Sequence, residues 1–266
     1  MTSNLKDLRA FLDAAPAAAL VEVTEAKGST PREKGAWMLV SPASILSTIG
    51  GGQLEFIAIA KAREMLSSGE VDALLDIPLG PEIGQCCGGR VGLAIRRVGE
   101  QWRAELEQRA RKQDTDRPLV LIFGGGHVGH ALAAALALLP VRTVVVETRA
   151  EAVQGLPAET VTRLTAMPEE MVREAPSGSA FVVLTHDHAL DFLIIAAALR
   201  RSDAAYVGMI GSKTKKATFK SWFVKNGGTE ATYRRLVCPI GGEIVRDKRP
   251  AVIAALTAAE VMRALA

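Results

Sequence analysis

One stretch constrains the fold of this chain more than any other. Residues 119–129 read LVLIFGGGHVG: five apolar residues, glycines spaced G-x-G-x-x-G, then the start of an apolar helix. The apolar run has the length of a buried strand, and the glycines mark a sharp strand-to-helix turn. In such a turn Gly124 permits the tight bend, Gly126 lets backbone N–H groups approach a phosphate, and Gly129 lets the helix pack close to the strand. The helix start, with His127, also favours an anion. Glu147 lies 18 residues past Gly129, near the ~20-residue offset of a ribose-binding acid. A turn of the same fold that binds nothing is the plainer alternative.

The pattern after this turn is regular. Residues 119–123, 143–146, 180–184, 206–210 and 236–238 read as strands. Helices are expected over 127–139, 190–199, 213–224 and 251–265. Such alternation predicts an α/β, Rossmann-like, doubly wound parallel sheet. Ligands bind such sheets outside the carboxyl ends of the strands. The sequence places there the Gly124 turn, Glu147, the run Thr185-His186-Asp187-His188, the run Gly211-Ser212-Lys213, and Cys238. His186 and His188 are competent for metal or proton, but two histidines without a placed third ligand equally suit a helix capped by Asp187. Lys213, at a helix start, suits a phosphate or carboxylate, or solvent.

The first half is different. Strands are expected at 20–23, 37–40, 73–79 and 91–98, with helices near 5–12 and 53–66, and glycine-rich breaks between them. This is an α+β domain, rich in glycine and cysteine, over residues 1–100. Residues 101–116 hold twelve polar or charged side chains out of sixteen, so 101–117 reads as a solvated helical linker before a second domain at 118–266.

Within the first half, GQCCGGR at 84–90 is the most distinctive stretch. Its glycines supply no side chains for a core and permit close approach by a large ligand. Gln85, Cys86, Cys87 and Arg90 are the candidate residues. Two thiols can offer soft metal ligands or carry sulfur, and Arg90 would favour thiolate and bind anions. A turn with two small buried residues is the alternative. Three cysteines with two adjacent make a poor disulfide framework.

Composition excludes several classes. The net charge of +3 is small for 266 residues, so non-specific nucleic-acid or membrane binding has no support. No apolar run reaches the ~18 residues of a membrane span. The N-terminus mixes charge with helical spacing where a secretory signal would be continuously apolar, so the expected address is cytoplasmic.

Seven motifs, in order along nearly the whole chain, carry a resemblance: GSTPRE at 28–33, TIGGGQLE at 48–55, GQCCGG at 84–89, FGGGHVGHALA at 123–133, THDHALD at 185–191, YVGMIGSKTK at 206–215 and CPIGG at 238–242. Together they resemble the XdhC/CoxI family of xanthine dehydrogenase accessory proteins. Gly125 and His130 depart from the residues more usual in that family. The resemblance implies a chaperone that binds the molybdenum cofactor, a molybdopterin ending in a phosphate. It implies that the cofactor is held while an L-cysteine desulfurase installs a sulfido ligand, then passed to xanthine dehydrogenase. Cys86 and Cys87 are the positions implied to handle molybdenum or sulfur. A nucleotide is a further candidate at the Rossmann turn, and homo-oligomerisation stays open. The competing function is a nicotinamide-dependent oxidoreductase built on the same turn. Paired cysteines have no natural part in simple hydride transfer, which favours the chaperone.

Overall fold

The computed structural model describes residues 5–81, 88–157, 160–242 and 244–266. The chain forms two compact units, Met1–Asp116 and Arg117–Ala266.

The N-terminal unit is built on an antiparallel sheet of β1 (Ala19–Lys27), β2 (Trp37–Val40), β3 (Ile45–Ser47), β4 (Asp72–Pro78) and β5 (Arg90–Arg97), in the order β3-β2-β1-β5-β4. Alternation along β1 sends Ala19, Val21 and Val23 to one face and Leu20 to the other. The first face packs on α2 (Gly52–Ser68) through Leu54, Ala58, Ala62 and Met65. The second packs, through Leu20 and Leu39, on Leu8 and Leu12 of α1 (Leu5–Ala14) and on Leu106 and Ala110 of α3 (Glu100–Asp116).

Residues 101–116 are therefore not a linker. They lie in α3, which belongs to the N-terminal unit. Leu106 and Ala110, one turn apart, are its buried contacts, and Arg9–Glu107 and Arg103–Asp13 ion pairs tie it to α1. Four apolar residues, Trp102, Ala104, Leu106 and Ala110, among twelve polar ones leave too faint a stripe to read from sequence.

The C-terminal unit is the doubly wound sheet that its periodicity predicts. Six parallel strands, β6 (Leu119–Phe123), β7 (Arg142–Glu147), β8 (Val161–Leu164), β9 (Ala180–Val183), β10 (Tyr206–Met209) and β11 (Leu236–Val237), run in the order β11-β10-β9-β6-β7-β8. Helices α4 (His127–Leu136) and α9 (Pro250–Leu265) cover one face through Leu132, Ala133, Leu136, Ala254, Ala258 and Val261. Helices α5 (Pro168–Glu174), α6 (His188–Arg200) and α7 (Lys213–Lys225) lie on the other, where Phe192, Phe219, Trp222 and Phe223 pack ring to ring. The short α8 (Glu230–Tyr233) follows α7. Strand order reverses between β6 and β9, so a crevice opens at their carboxyl ends. β8 is invisible to sequence patterning because all four of its residues are exposed at the sheet edge.

Candidate functional site: the Gly126 turn and the glycine loops

In the C-terminal unit each glycine of the turn has a separate spatial reason. Gly124 has φ +117, and a Cβ on it would lie 2.5 Å from the Leu184 carbonyl oxygen of the neighbouring strand end. On Gly125 a Cβ would meet the Ala152 carbonyl oxygen at 2.4 Å, and on Gly129 the Gly124 carbonyl oxygen at 2.1 Å. Gly126 alone of the four faces open space. It is the N-cap of α4, and no side chain caps that helix. The N–H groups of the first turn thus lack intrahelical acceptors and point outward at the switch point.

Glu147, the candidate ribose-binding acid, has its partners within the turn. At the end of β7 it is buried, 5% exposed, and turned back toward the glycine turn. Its Oε2 accepts the Gly125 N–H at 2.8 Å. Its Oε1 accepts the Thr148 N–H (2.8 Å), the Thr148 hydroxyl (3.2 Å) and the Arg149 N–H (3.1 Å). Burial raises the carboxyl pKa, but the hydrogen bonds from Gly125, Thr148 and Arg149 outweigh it, and the net shift is downward. A carboxylate with these four hydrogen bonds holds the turn in shape. Since it donates to Glu147, the Gly125 N–H is taken up within the fold.

A stability prediction follows from this geometry. Glu147→Gln places an amide NH2 against backbone donors and should cost about 2–3 kcal/mol at neutral pH. The folded carboxyl titrates below its ordinary value of 4.5, so its contribution is complete above that value and fades as pH falls through the folded pKa. Urea unfolding at pH 7 and pH 3 should show the gap between wild type and variant shrinking at the lower pH. An equal gap at both would contradict the assignment.

The histidines separate into three roles. His127 is exposed at the start of α4. His130 bonds through Nε2 to the Ala152 carbonyl at 2.9 Å, bracing the turn after β7. His186 and His188 are exposed, and between them Asp187 caps α6 by accepting from Ala189 (2.8 Å) and Leu190 (3.3 Å). Among the described residues no group of three or more His, Cys, Asp or Glu side chains is arranged to hold a metal.

Sequence reasoning singled out Lys213, which is exposed, and missed Lys215 two residues on. Lys215 reaches inward past Gly211, its Nζ pairing with Asp191 Oδ2 and donating to the Ile210 carbonyl at 3.0 Å. Asp191 Oδ1 accepts the Thr185 N–H (3.0 Å) and hydroxyl (2.7 Å). Asp191 is fully buried and the Lys215 side chain is 9% exposed. The pair ties the ends of β9 and β10 to α6 and α7. An acid set among Leu190, Phe192 and Leu193 was its one sequence signal. Cys238 lies nearby and is buried. Burial pushes its thiol pKa up, Lys216 and Lys215 pull against that, and the net shift is upward, so it stays a thiol.

In the N-terminal unit three of the sequence motifs meet. Gly50, Gly51 and Gly52 all have positive φ, at 126°, 75° and 64°. Glu55 folds back from the first turn of α2, and its Oε2 accepts the Ile49 and Gly51 N–H groups (3.1 Å each) and the Thr48 hydroxyl. Pro31 of GSTPRE packs on Gly50, where a Cβ would lie 2.6 Å from the Pro31 Cβ. Gly89 packs on Ser29, whose carbonyl oxygen would be 2.3 Å from an added Cβ. Leu79 donates to the Gly89 carbonyl at 2.8 Å and accepts from the Gly88 N–H at 2.9 Å. Gln85, Cys86 and Cys87 lie outside the described residues. Arg90, expected to supply charge to the thiols, makes a bidentate pair with Asp76 at 2.7 Å for each contact.

None of the helices among the described residues is long and apolar enough to cross a membrane. The chain is 24% identical over 257 residues to the uncharacterized protein YqeB of Escherichia coli K12, covering 92% of this chain and 43% of YqeB. It therefore spans less than half the length of that relative. A crystal structure of a Bacillus halodurans protein described as a xanthine dehydrogenase superposes with a TM-score of 0.80 at 16% identity, covering 98% of this chain and 95% of that one, which shows a shared fold. The XdhC Rossmann domain matches residues 120–261, and the XdhC and CoxI family matches residues 11–77. With both of its units matched, this chain belongs to the XdhC/CoxI family.

Proposed function

We propose that this protein serves the maturation of xanthine dehydrogenase as a carrier of its molybdenum cofactor. The observation that most supports this reading is the Gly126 turn. It offers an uncapped helix start, open space where a side chain would stand, and a switch-point position. A molybdopterin ends in a phosphate, and the amides of Gly126, His127 and Val128 fit that group by charge and reach. When bound, the cofactor supplies a molybdenum centre with an exchangeable terminal ligand. The chain's own part is to hold the phosphate at the turn, with Glu147 and His130 keeping the turn in shape. Cys86 and Cys87 supply soft thiol ligands, or sulfur carriage during exchange with an L-cysteine desulfurase. The nicotinamide-dependent reading is weaker, because Glu147, its ribose-binding acid, carries four hydrogen bonds within the fold.

Two glycine variants test the turn. Gly126→Val should fold, since its Cβ meets nothing within 4 Å, yet its branched side chain would block the approach of phosphate. Loss of two charge-assisted hydrogen bonds, each about 1.5–3 kcal/mol, predicts at least a hundredfold weaker retention. Gly125→Val should destabilise the fold itself through the Ala152 clash. The measurement is molybdenum and molybdopterin per chain after purification from cells that make the cofactor. Full retention by folded Gly126→Val would place the phosphate elsewhere, and absence of cofactor from wild type would sink the carrier reading.

A further inference from the structure

Beyond the carboxyl ends of β10 and β11 the C-terminal unit holds a cleft of about 670 Å³. That is within the roughly 300–1,000 Å³ of small-molecule sites. Its walls are apolar: Ile210 after β10, Pro239 and Ile240 after β11, and Ile253 and Leu256 of α9. Glu260 fixes the floor, since its Oε2 accepts both the Tyr206 hydroxyl (2.7 Å) and the Gly241 N–H (3.0 Å). Gly241 and Gly242, at φ +77 and +71, turn the chain across the mouth without a side chain to narrow it.

The rim is positively charged. Among the described residues its acid, Asp247, is held by Arg249 through both carboxylate oxygens. Arg246 and Lys248 have no acidic partner among the described residues. Beside them Ile244 is 98% exposed, extending the apolar surface outward. A cleft with apolar walls and with Lys213, Arg246 and Lys248 around it suits a molecule with an apolar body and an anionic end. Arg presents a planar fork and Lys a point charge, a combination that matches phosphate.

We infer that this cleft is a second small-molecule site, whose ligand is a heteroaromatic monophosphate of nucleotide size. Its ring lies against Ile240, Ile253 and Leu256, and its phosphate meets Arg246 and Lys248. The site is separate from the Gly126 turn. No residue of that turn lines the cleft, and β10 and β11 stand two and three strands from β6, about 10–14 Å away at ordinary sheet spacing. The inference does not depend on the molybdenum reading.

Isothermal titration of the full chain with GMP and AMP tests it, with guanosine and inorganic phosphate as the separate parts. At least one nucleotide should bind more tightly than either part. Arg246→Ala/Lys248→Ala, on the exposed rim, should fold normally and weaken that binding about tenfold or more. Ile253→Trp should fill the cleft and abolish it, while Gly126→Val should leave it unchanged. The inference is overturned if neither nucleotide binds at millimolar concentration, if phosphate alone binds as well as the nucleotide, if the charge variant binds like wild type, or if Gly126→Val removes binding.

Discussion

Asp191→Ala should destabilise this protein by about 3–5 kcal/mol, a large share of the stability of an ordinary domain. The variant leaves the Lys215 ammonium buried with the Ile210 carbonyl as its remaining partner, and it strips the Thr185 N–H and hydroxyl of their acceptor. The reverse deletion should be milder. Lys215→Met removes the cation but leaves the Asp191 carboxylate its two Thr185 donors, and methionine keeps most of the buried stem. The double variant should lie well short of the sum of the two singles, because neither orphaned charge survives in it. Urea denaturation of the four proteins measures this directly. Additive losses would show that the two side chains are not coupled, and an Asp191→Ala loss under 1 kcal/mol would show that the pair is not buried in solution.

Changing Cys86 and Cys87 together to serine should reduce bound molybdopterin to near background while leaving the fold intact. At neutral pH a hydroxyl is neither a soft ligand nor a sulfur nucleophile, whereas a thiolate is both. The stability change should stay within about 0.5 kcal/mol, because serine differs little from cysteine in volume. Xanthine dehydrogenase produced alongside this variant should lack sulfurated cofactor. Cys238→Ser is the control: its buried, protonated thiol sits in the other unit, so retention should change little. Molybdopterin per chain, with circular dichroism for folding, is the readout. Full retention by the folded double variant would exclude both thiols as ligands and leave them a transient part in sulfur transfer.

The glycine turn was legible because its constraint is local. G-x-G-x-x-G after an apolar run describes backbone geometry, and the positive φ of Gly124 and the close approach of Gly129 to the Gly124 carbonyl are that constraint in atomic form. Strand–helix alternation over 119–265 was legible because burial imposes a period on the chain. Side-chain direction has no such signature. Glu147 occupies the offset of a ribose acid, yet its carboxylate turns inward because the Gly125, Thr148 and Arg149 donors converge there. Lys213 and Lys215 are two residues apart on one helix, roughly 200° around its axis. Composition could not say that the second is the one facing Asp191.

The amino-acid sequence by itself determined the doubly wound C-terminal sheet, the place of its turn, and the family to which the chain belongs. These rest on spacing along one strand of polymer, which folding preserves. Only the tertiary structure decided that α3 belongs to the N-terminal unit, that Pro31, Gly50, Ser29 and Gly89 meet, and that Asp191 and Lys215 neutralise each other out of water. Each of those is a contact between residues 19 to 98 positions apart, and whether such groups touch depends on how whole sheets and helices pack, which no short window of sequence contains.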